Sequence, residues 1–518
     1  MADKEKVTGG SPAEMSAEEV LQKFDKESDK REMDGLWGHL ISGICILFAV
    51  FQLYTAIFGV LDAHLQRTVH LCFGLSLIYL LYPARAKWSR KAMHPADVIF
   101  ALLSVFATMY LVVEYDQLVL RAGMNTGTDI VIGLLGVVLV FEAARRTVGW
   151  PMITVALVFL AYAFAGPYMP GIMAHRGVGF DELVSHLYFT TEGIFGVPMG
   201  VSSTFIYLFI LFGAYLEATG LGKFFIDLAN ALAGWAVGGP AKVAVLSSGL
   251  MGTVSGSSVA NVAGTGSFTI PMMKKLGYRP SFAGAVEAAA STGGQLMPPV
   301  MGAAAFLMAE FVGVPYINVV KAAVIPAILY YTGIWIGVHY EARKYGLKGT
   351  PREELPKFGR LLAEKGHLAI PLIIIVYLLV TGYTPMRAAL YAIALTIVCA
   401  CLRKSTRITF KDFVNGLING SKGVLGVLIA CATAGIIIGV VTKTGVGLKL
   451  ATALLDLAGG KLLPAMFFTM ITSLILGMGV PTTANYVITS TIAAPALVQM
   501  NVPVLAAHMF AFYFGIVA

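Results

Sequence analysis

The chain has 518 residues, of which 57% are hydrophobic and 13% are charged, and its formal net charge is +8 at pH 7. Soluble domains carry about 25% charged residues, so this composition excludes a chain that folds in water alone. The basic residues lie in short clusters beside apolar segments, such as Arg85, Lys87, Arg90 and Lys91. Cytoplasmic loops of membrane proteins carry such clusters, so we expect an all-α polytopic membrane protein in the lipid bilayer and no nucleic-acid partner.

The first 36 residues are polar and contain no short apolar core followed by a small-residue cleavage site. We therefore predict a cytoplasmic segment over 1–36 and no cleaved signal peptide. Four apolar spans follow, at about 37 to 60, 66 to 82, 97 to 114 and 129 to 143. The loops after the second and fourth spans are basic and the loop after the third is acidic. Both ends of this four-helix N-terminal membrane block, 37–147, are therefore predicted to be cytoplasmic.

The rest of the chain, 148–518, is predicted to be a transport domain with an internal repeat. The first copy, about 200–340, contains Met251-Gly-Thr-Val-Ser-Gly-Ser-Ser-Val-Ala-Asn261, and the second, about 410–518, contains Met478-Gly-Val-Pro-Thr-Thr-Ala-Asn485. In each copy a run of hydroxyl, amide and glycine residues interrupts an apolar stretch. Interrupted helices are tolerated at membrane depth only where protein or a water-filled cavity satisfies the backbone, so we predict two re-entrant helical hairpins lining a substrate or ion path.

The first hairpin is followed by Ser291-Thr-Gly-Gly-Gln-Leu-Met-Pro-Pro299, whose two glycines and two prolines favour unwinding of an apolar segment. When the two hairpin motifs are aligned on their methionines, Ser255 matches Thr482 and Ser258 matches Asn485. Such neutral oxygen atoms at half-helix ends suit Na⁺. The chain stops at Ala518, where the second copy's crossover should begin, so we expect either a longer gene product or a second ion site lacking half of its ligands.

Single positions remain open to other interpretations. Serine, threonine and glycine also serve as close-packing residues between membrane helices. The acidic residues Glu217, Glu287 and Glu310 lie inside apolar spans, where charge is costly, so each is either functional or a residue at a helix end or in the bundle interior. We find no partnered nucleophile and no metal spacing such as H-E-x-x-H, which argues against an intramembrane enzyme.

At these motifs the sequence resembles the membrane part of a tripartite ATP-independent periplasmic (TRAP) transporter. It is most similar to the fused permeases, with small and large membrane subunits in one chain, that work with TAXI-type binding proteins. The resemblance is carried by the two hairpin motifs and the Ser291–Pro299 segment, and it extends from about residue 170 onward. It implies a Na⁺-driven importer of a small carboxylate in the bacterial or archaeal inner membrane. A periplasmic TAXI-type protein would deliver the solute to an elevator domain made of the two hairpin repeats, with the four-span block as a stator.

The resemblance also implies site residues but neither catalytic residues nor an organic cofactor. The first sodium site would comprise Ser255, Ser258, Gly294, Met297 and Pro298. The second would comprise Gly479, Thr482 and Asn485. The substrate pathway would include Ser257, Asn261, Thr292, Gln295 and Thr483. Two alternatives remain open: a standalone ion-coupled carboxylate carrier that needs no binding protein, and a membrane scaffold that transports nothing.

Overall fold

The structure is a computed structural model that describes residues 29–31, 33–85, 88–90, 92–404 and 406–517. Most of the predicted N-terminal segment, together with Lys87, Lys91 and Ala518, lies outside these ranges. Within them the regular secondary structure is helical, with no strand. Eight helical stretches are long and apolar enough to cross a membrane, which confirms the prediction of an all-α polytopic membrane protein.

Helices stand at each of the four predicted N-terminal spans. They are α1 (Gly35–Phe58), α2 (Ala63–Leu81), α3 (Pro95–Val113) and α5 (Gly127–Thr147), with the short α4 (Tyr115–Leu120) before α5. Although α2 is 19 residues long, it is not one of the eight apolar stretches. Its polar side chains Gln66, Thr68 and His70 are buried among neighbouring helices, so α2 has an interior position in the bundle.

Buried ion pairs hold this block together beside its basic loop. One carboxylate oxygen of Asp97 accepts a hydrogen bond from Arg31 and the other from Arg146, each at 2.7 Å, and none of the three side chains is exposed. Arg146 also lies over the Tyr79 ring, 4.8 Å from its centroid. The sequence predicts a basic loop after about residue 143, but Arg146 lies in the last turn of α5, where its positive charge interacts favourably with the helix C-terminus.

The helices of the first hairpin copy follow a connecting region. This region contains α6 (Trp150–Ala165), α7 (Phe180–Phe189), α8 (Val197–Ala218) and α9 (Leu221–Ala233). The first copy then comprises α10 (Gly239–Ser255), α11 (Ser258–Lys275), α12 (Pro280–Gly294), α13 (Ala303–Val312) and α14 (Tyr316–Lys344). A π-helical turn in α8 places Ser202 Oγ 3.0 Å from His70 Nε2 of α2, which links the N-terminal block to the rest of the chain.

The second hairpin copy lies near the end of the chain. It is preceded by α15 (Phe358–Val380), α16 (Pro385–Cys401), α17 (Phe410–Gly423), α18 (Leu425–Thr444) and α19 (Val446–Leu457). It comprises α20 (Leu462–Gly477), α21 (Thr482–Ile492), α22 (Ala494–Gln499) and α23 (Val504–Val517). A short helix, α9 or α19, precedes the hairpin of each copy and a further helix follows it, so the order of elements is the same in both.

A pair of glycines marks the same helix crossing in each copy. Where α10 crosses α12, a Cβ atom on Gly252 would lie 2.4 Å from Gly294 Cα. Where α20 crosses α23, a Cβ atom on Gly477 would lie 2.2 Å from the carbonyl oxygen of Gly515. Backbones this close leave no room for a side chain at either crossing. The sequence repeat is therefore a structural repeat, in which α23 corresponds to α12.

Candidate functional site

The first hairpin turns at Gly256 and Ser257. Gly256 has a φ of +62°, in the left-handed region that glycine adopts readily. Ser257 caps α11, because its hydroxyl accepts a hydrogen bond from the Ala260 amide at 3.3 Å. Ser255 is therefore the last residue of α10 and Ser258 the first of α11. The two predicted sodium ligands thus flank one tight turn, with a helix C-terminus on one side and a helix N-terminus on the other.

An unwound segment lies against this turn. After Gly294 the chain does not become helical again until Ala303. The segment is closed by a hydrogen bond from the Gly302 amide to the Gln295 carbonyl at 3.2 Å, and a Cβ atom on Gly256 would lie 3.4 Å from the Met301 carbonyl oxygen. The predicted unwinding between α12 and α13 is therefore confirmed. Two further predicted ligands, Met297 and Pro298, lie within this segment.

The second hairpin turns between Gly477 and Thr482. Gly479 has a φ of +70°, and Pro481 immediately precedes α21. The Thr482 hydroxyl donates a hydrogen bond to the side-chain oxygen of Gln295, in the unwound segment of the first copy. The second hairpin tip therefore contacts the crossover of the other copy directly.

A cavity of about 610 Å³ lies between the two tips. The predicted residues on its wall are Ser257, Ser258, Thr292, Gln295, Gly479, Thr482, Thr483 and Asn485. Ser255 lines an adjoining cavity of about 290 Å³, which shares Gly256 and Ser257 of the first tip with the larger cavity. The remaining predicted residues, Asn261, Gly294, Met297 and Pro298, line neither cavity. The structure therefore brings most of the predicted residues, from both copies, to one cavity wall.

Among the described residues, the wall of the larger cavity carries no ionisable side chain. Its electrostatic character comes instead from helix ends, because α11, α13 and α21 begin on the wall at Ser258, Ala303 and Thr482. Each helix N-terminus carries a partial positive charge of about half an elementary charge. The C-terminus of α20 lies on the same wall at Gly477, where carbonyl groups lack helical partners. The cavity can therefore attract an anion through backbone N–H groups and a cation through carbonyl oxygens.

Two buried amide side chains mark the glycine crossings. Asn261 and Asn485 are 1% and 2% exposed, and the Oδ1 atom of each has no hydrogen-bond partner within the part of the chain that the structure describes. A Cβ atom on Gly252 would lie 3.3 Å from Asn261 Nδ2, and one on Gly477 would lie 3.0 Å from Asn485 Nδ2. The structure therefore matches Asn485 with Asn261, whereas alignment of the motifs on their methionines matched Asn485 with Ser258. Buried oxygens without partners are candidate ligands for a bound ion.

Another polar cluster lies behind the first hairpin. Glu287 of α12 is fully buried, and its Oε1 accepts hydrogen bonds from Ser248 of α10 and Thr265 of α11 at 2.5 Å each. Its Oε2 accepts a hydrogen bond from Thr269 at 2.5 Å. The sequence identified Glu287 only as a lone charge. The spacing of Thr265 and Thr269, one helical turn apart, was the available sign of a hydroxyl-lined helix face.

Repeated helical hairpins that meet at an uncharged polar cavity in a polytopic membrane protein are typical of secondary solute permeases. The family model described as "Tripartite ATP-independent periplasmic transporter, DctM component" matches residues 135–518, and the chain belongs to this family. The resemblance found at the hairpin motifs is thereby confirmed at the level of the family. The family is one of transporter permeases and not of enzymes.

Three curated relatives illustrate the extent of the similarity. The C4-dicarboxylate TRAP transporter large permease protein DctM of Pseudomonas aeruginosa is 32% identical over 186 residues, 36% of this chain and 43% of the relative. The isethionate TRAP transporter permease protein DctMQ of Oleidesulfovibrio alaskensis is 27% identical over 298 residues, 57% and 46% of the two chains. The 2,3-diketo-L-gulonate TRAP transporter large permease protein YiaN of Escherichia coli is 24% identical over 302 residues, which are 57% of this chain and 68% of the relative. The chain spans about half the length of the first two.

Proposed function

We propose that this chain is the permease of a Na⁺-coupled secondary transporter that imports a small organic anion. The observation that carries the proposal is the convergence of three helix N-termini and both hairpin tips on one cavity whose described wall has no ionisable side chain. Helix N-termini bind carboxylates through backbone N–H groups, and unwound carbonyls bind Na⁺. The relatives named above are transporters of C4-dicarboxylate, isethionate and 2,3-diketo-L-gulonate, all organic anions, which supports a carboxylate or a similar acid as the solute.

In this proposal the first Na⁺ binds between Ser255 and Ser258 and the carbonyls of Gly294, Met297 and Pro298. Support comes from the contact between the hairpin turn and the unwound segment that holds two of those carbonyls. The second Na⁺ binds at Gly479, Thr482 and Asn485. There the positive φ of Gly479 and the Asn485 Oδ1, which has no partner among the described residues, support a site built from neutral oxygen atoms.

We further propose an elevator mechanism, with residues 37–147 as the stator and the N-terminus in the cytoplasm. The cavity between the hairpin tips is also lined by Thr147, Val148, Gly149 and Pro151, where α5 passes into α6. A Cβ atom on Gly479 would lie 3.5 Å from the Pro151 ring. If the basic loops are cytoplasmic, Thr147 is the cytoplasmic end of the stator, and the residues up to Pro151 follow it directly. The two hairpin tips would then lie near the cytoplasmic side of the membrane, as in an inward-facing state.

The partner in this proposal is a periplasmic binding protein of the TAXI type. Family membership supports a periplasmic binding protein as the partner, since this chain matches one component of a tripartite periplasmic transporter. The TAXI type is supported by the resemblance of the hairpin motifs alone. The protein reconstituted in liposomes should take up its solute only when the cognate binding protein is added outside. Uptake of equal rate without it would favour the standalone carrier.

Sodium binding is testable before the solute is known, because a bound ion stabilises the state that binds it. The melting temperature of the purified protein should rise when Na⁺ replaces K⁺ at constant ionic strength. At a Na⁺ concentration 100 times the dissociation constant, the stabilisation should be about 2.7 kcal/mol. Ser258→Ala removes one proposed ligand and little volume, so it should reduce the Na⁺-specific shift while leaving the melting temperature in K⁺ nearly unchanged.

The matched control is Ser267→Ala on the same helix, because Ser267 is exposed and bonds to the Gly264 carbonyl of its own turn. This control should keep the full Na⁺-specific shift. Equal shifts in Na⁺ and K⁺ for the unmodified protein would contradict sodium coupling.

A further inference from the structure

Glu287 is a buried carboxylate whose described contacts include no cation. Its contacts are hydroxyl groups, from Ser248, Thr265 and Thr269 at 2.5 Å and from Ser291 at 3.4 Å. No ion pair involves Glu287 among the residues that the structure describes. A buried carboxylate in a membrane protein is costly unless it is protonated or a cation lies nearby. The negative charge of Glu287 therefore requires compensation by a proton or by a nearby cation.

Among the described residues, the charged and titratable groups on the helices packed around Glu287 make no direct contact with its carboxylate. On α10, Lys242 lies six residues before Ser248, and its Nζ is 3.2 Å from His339 Nδ1 of α14. The Tyr331 hydroxyl of α14 donates to the Ala290 carbonyl at 2.8 Å. The basic residues of α11, Lys274 and Lys275, lie in its last turn, beyond the three hydroxyls. None of these groups neutralises Glu287 by direct contact.

The hydroxyl groups around Glu287 can satisfy either protonation state. When the carboxylate is ionised, Ser248, Thr265 and Thr269 all donate to it. When it is protonated, Thr265 can donate instead to the Asn261 carbonyl at 2.8 Å, and Thr269 to the Thr265 carbonyl at 3.1 Å. The Glu287 proton is then donated to a hydroxyl oxygen that the change has freed. Neither state leaves a buried hydrogen unpaired, so Glu287 can change its charge without unfolding its surroundings.

The cluster is also connected to the first hairpin site. Asn261 donates its side-chain amide to the Ser248 carbonyl at 2.8 Å, and a Cβ atom on Gly252, at the crossing with Gly294, would lie 3.3 Å from that amide nitrogen. The Asn261 Oδ1 has no partner among the described residues. Glu287 and Gly294 are seven residues apart on α12, about 10 Å along the helix axis at 1.5 Å per residue. A carboxylate at that distance in the protein interior favours a bound cation by on the order of tenfold.

We infer that Glu287 is the counter-charge of the cation bound at the first hairpin, ionised when the cation is present and protonated when the cation leaves. The inference rests on the proposed sodium site, whose proposed ligands are all uncharged. It makes Glu287 a positioning residue that acts through the Asn261 network and not a direct ligand. Cation binding would release a proton from Glu287, and lower pH would weaken cation binding because protons compete for the carboxylate.

The experiment measures the Na⁺ dissociation constant of the full chain from thermal-shift titrations across the acidic to neutral range. In the unmodified protein the dissociation constant should rise as pH falls. In Glu287→Gln it should be on the order of tenfold weaker at neutral pH and should not vary with pH. Glu341→Gln is the matched control, since this carboxylate pairs with Arg279 near the C-terminal end of α14 and should leave the pH profile unchanged.

A second variant keeps the test valid if Glu287→Gln does not fold. Thr269→Val removes one donor to the ionised carboxylate at nearly constant volume, so the rise in the dissociation constant should begin at a higher pH than in the unmodified protein. A Glu287→Gln protein that binds Na⁺ with unchanged affinity and pH profile would overturn the inference but leave the sodium site standing. An unmodified protein without any Na⁺-specific shift would overturn both.

Discussion

Gly294 has two proposed roles: its carbonyl is a proposed sodium ligand, and its lack of a side chain allows α12 to pack closely against the backbone of α10 at Gly252. A Cβ atom at this position would lie 2.5 Å from Gly252 Cα, and a backbone atom cannot move aside as a side chain can. We expect Gly294→Ala to push α10 and α12 apart and lower the free energy of unfolding by about 1–3 kcal/mol. The melting temperature in K⁺ measures this loss without any contribution from sodium.

Gly284 provides the control for that substitution, because it lies on the same helix and a Cβ atom there would have no described neighbour within 4 Å. Gly284→Ala should be neutral or should stabilise the helix by up to about 1 kcal/mol. If both alanine variants melted at the same temperature, the close crossing of α10 and α12 would be refuted.

Residues at the hairpin tips could be predicted from the sequence, but the partners of Glu287 could not. The tips stand out because glycine, serine and threonine interrupt apolar runs, which is a local signal. Ser248 and Glu287 are 39 residues apart and Thr265 and Glu287 are 22 apart, so their contact depends on how three helices cross. The match of Asn485 with Asn261 likewise depends on the glycine crossings and not on the neighbouring methionines.

Among the helices, the start of α3 is fixed by the most deeply buried charges of the N-terminal block. Asp97 pairs with Arg31 and Arg146, and all three side chains are inaccessible. Asp97→Asn would leave two buried guanidinium groups without their counter-charge, which destabilises proteins by about 3–5 kcal/mol. We expect loss of folded protein in detergent, or a large fall in melting temperature.

The comparison for Asp97→Asn is Asp116→Asn in the neighbouring helix α4, where the aspartate is not buried. That variant should change the free energy of unfolding by no more than about 0.5 kcal/mol. A mild effect of Asp97→Asn, similar to that of Asp116→Asn, would show that the buried pairs do not hold the block together.

In the N-terminal block, hydropathy predicts where the helices lie in the sequence, but it does not predict which of their side chains are buried. The prediction placed the fourth span at about 129 to 143, and α5 continues to Thr147 with Arg145 and Arg146 in its last turn. Basic residues end a hydropathy span by composition, yet a helix can continue through them when Asp97 and Glu142 supply the opposite charge. The sequence also does not predict the interior position of α2, because polar side chains such as those of α2 are usually exposed and only the surrounding helices show that these are buried.

For the whole molecule, the repeat could be recognised from the sequence because both copies carry similar breaks at similar spacings. What the sequence could not provide is the position of the hairpin pair against the rest of the protein. That position depends on contacts between segments far apart in the chain, such as Gly479 with Pro151. In an elevator mechanism, this position of the hairpins relative to the rest of the protein must change during each transport cycle.

A disulfide between positions 151 and 479 would therefore test the proposed motion. A Cβ atom on Gly479 would lie 3.8 Å from Pro151 Cβ, within the separation of about 3.5–4.5 Å that a disulfide requires. The pair Pro151→Cys and Gly479→Cys, in a background without the five native cysteines, should cross-link under mild oxidation. Mass spectrometry of the oxidised protein measures the yield.

The effect of this cross-link on uptake distinguishes a hairpin that moves during transport from one that stays fixed. If the second tip must leave Pro151 during each cycle, oxidation should abolish uptake of a radiolabelled C4-dicarboxylate or other transported acid into liposomes, and a reductant should restore it. Each single-cysteine variant serves as the control, because Gly479→Cys alone alters a proposed ligand position with a φ of +70°. Full uptake by a completely cross-linked protein would mean that the tip stays beside Pro151 throughout the cycle, and solute would then have to pass a hairpin that does not move.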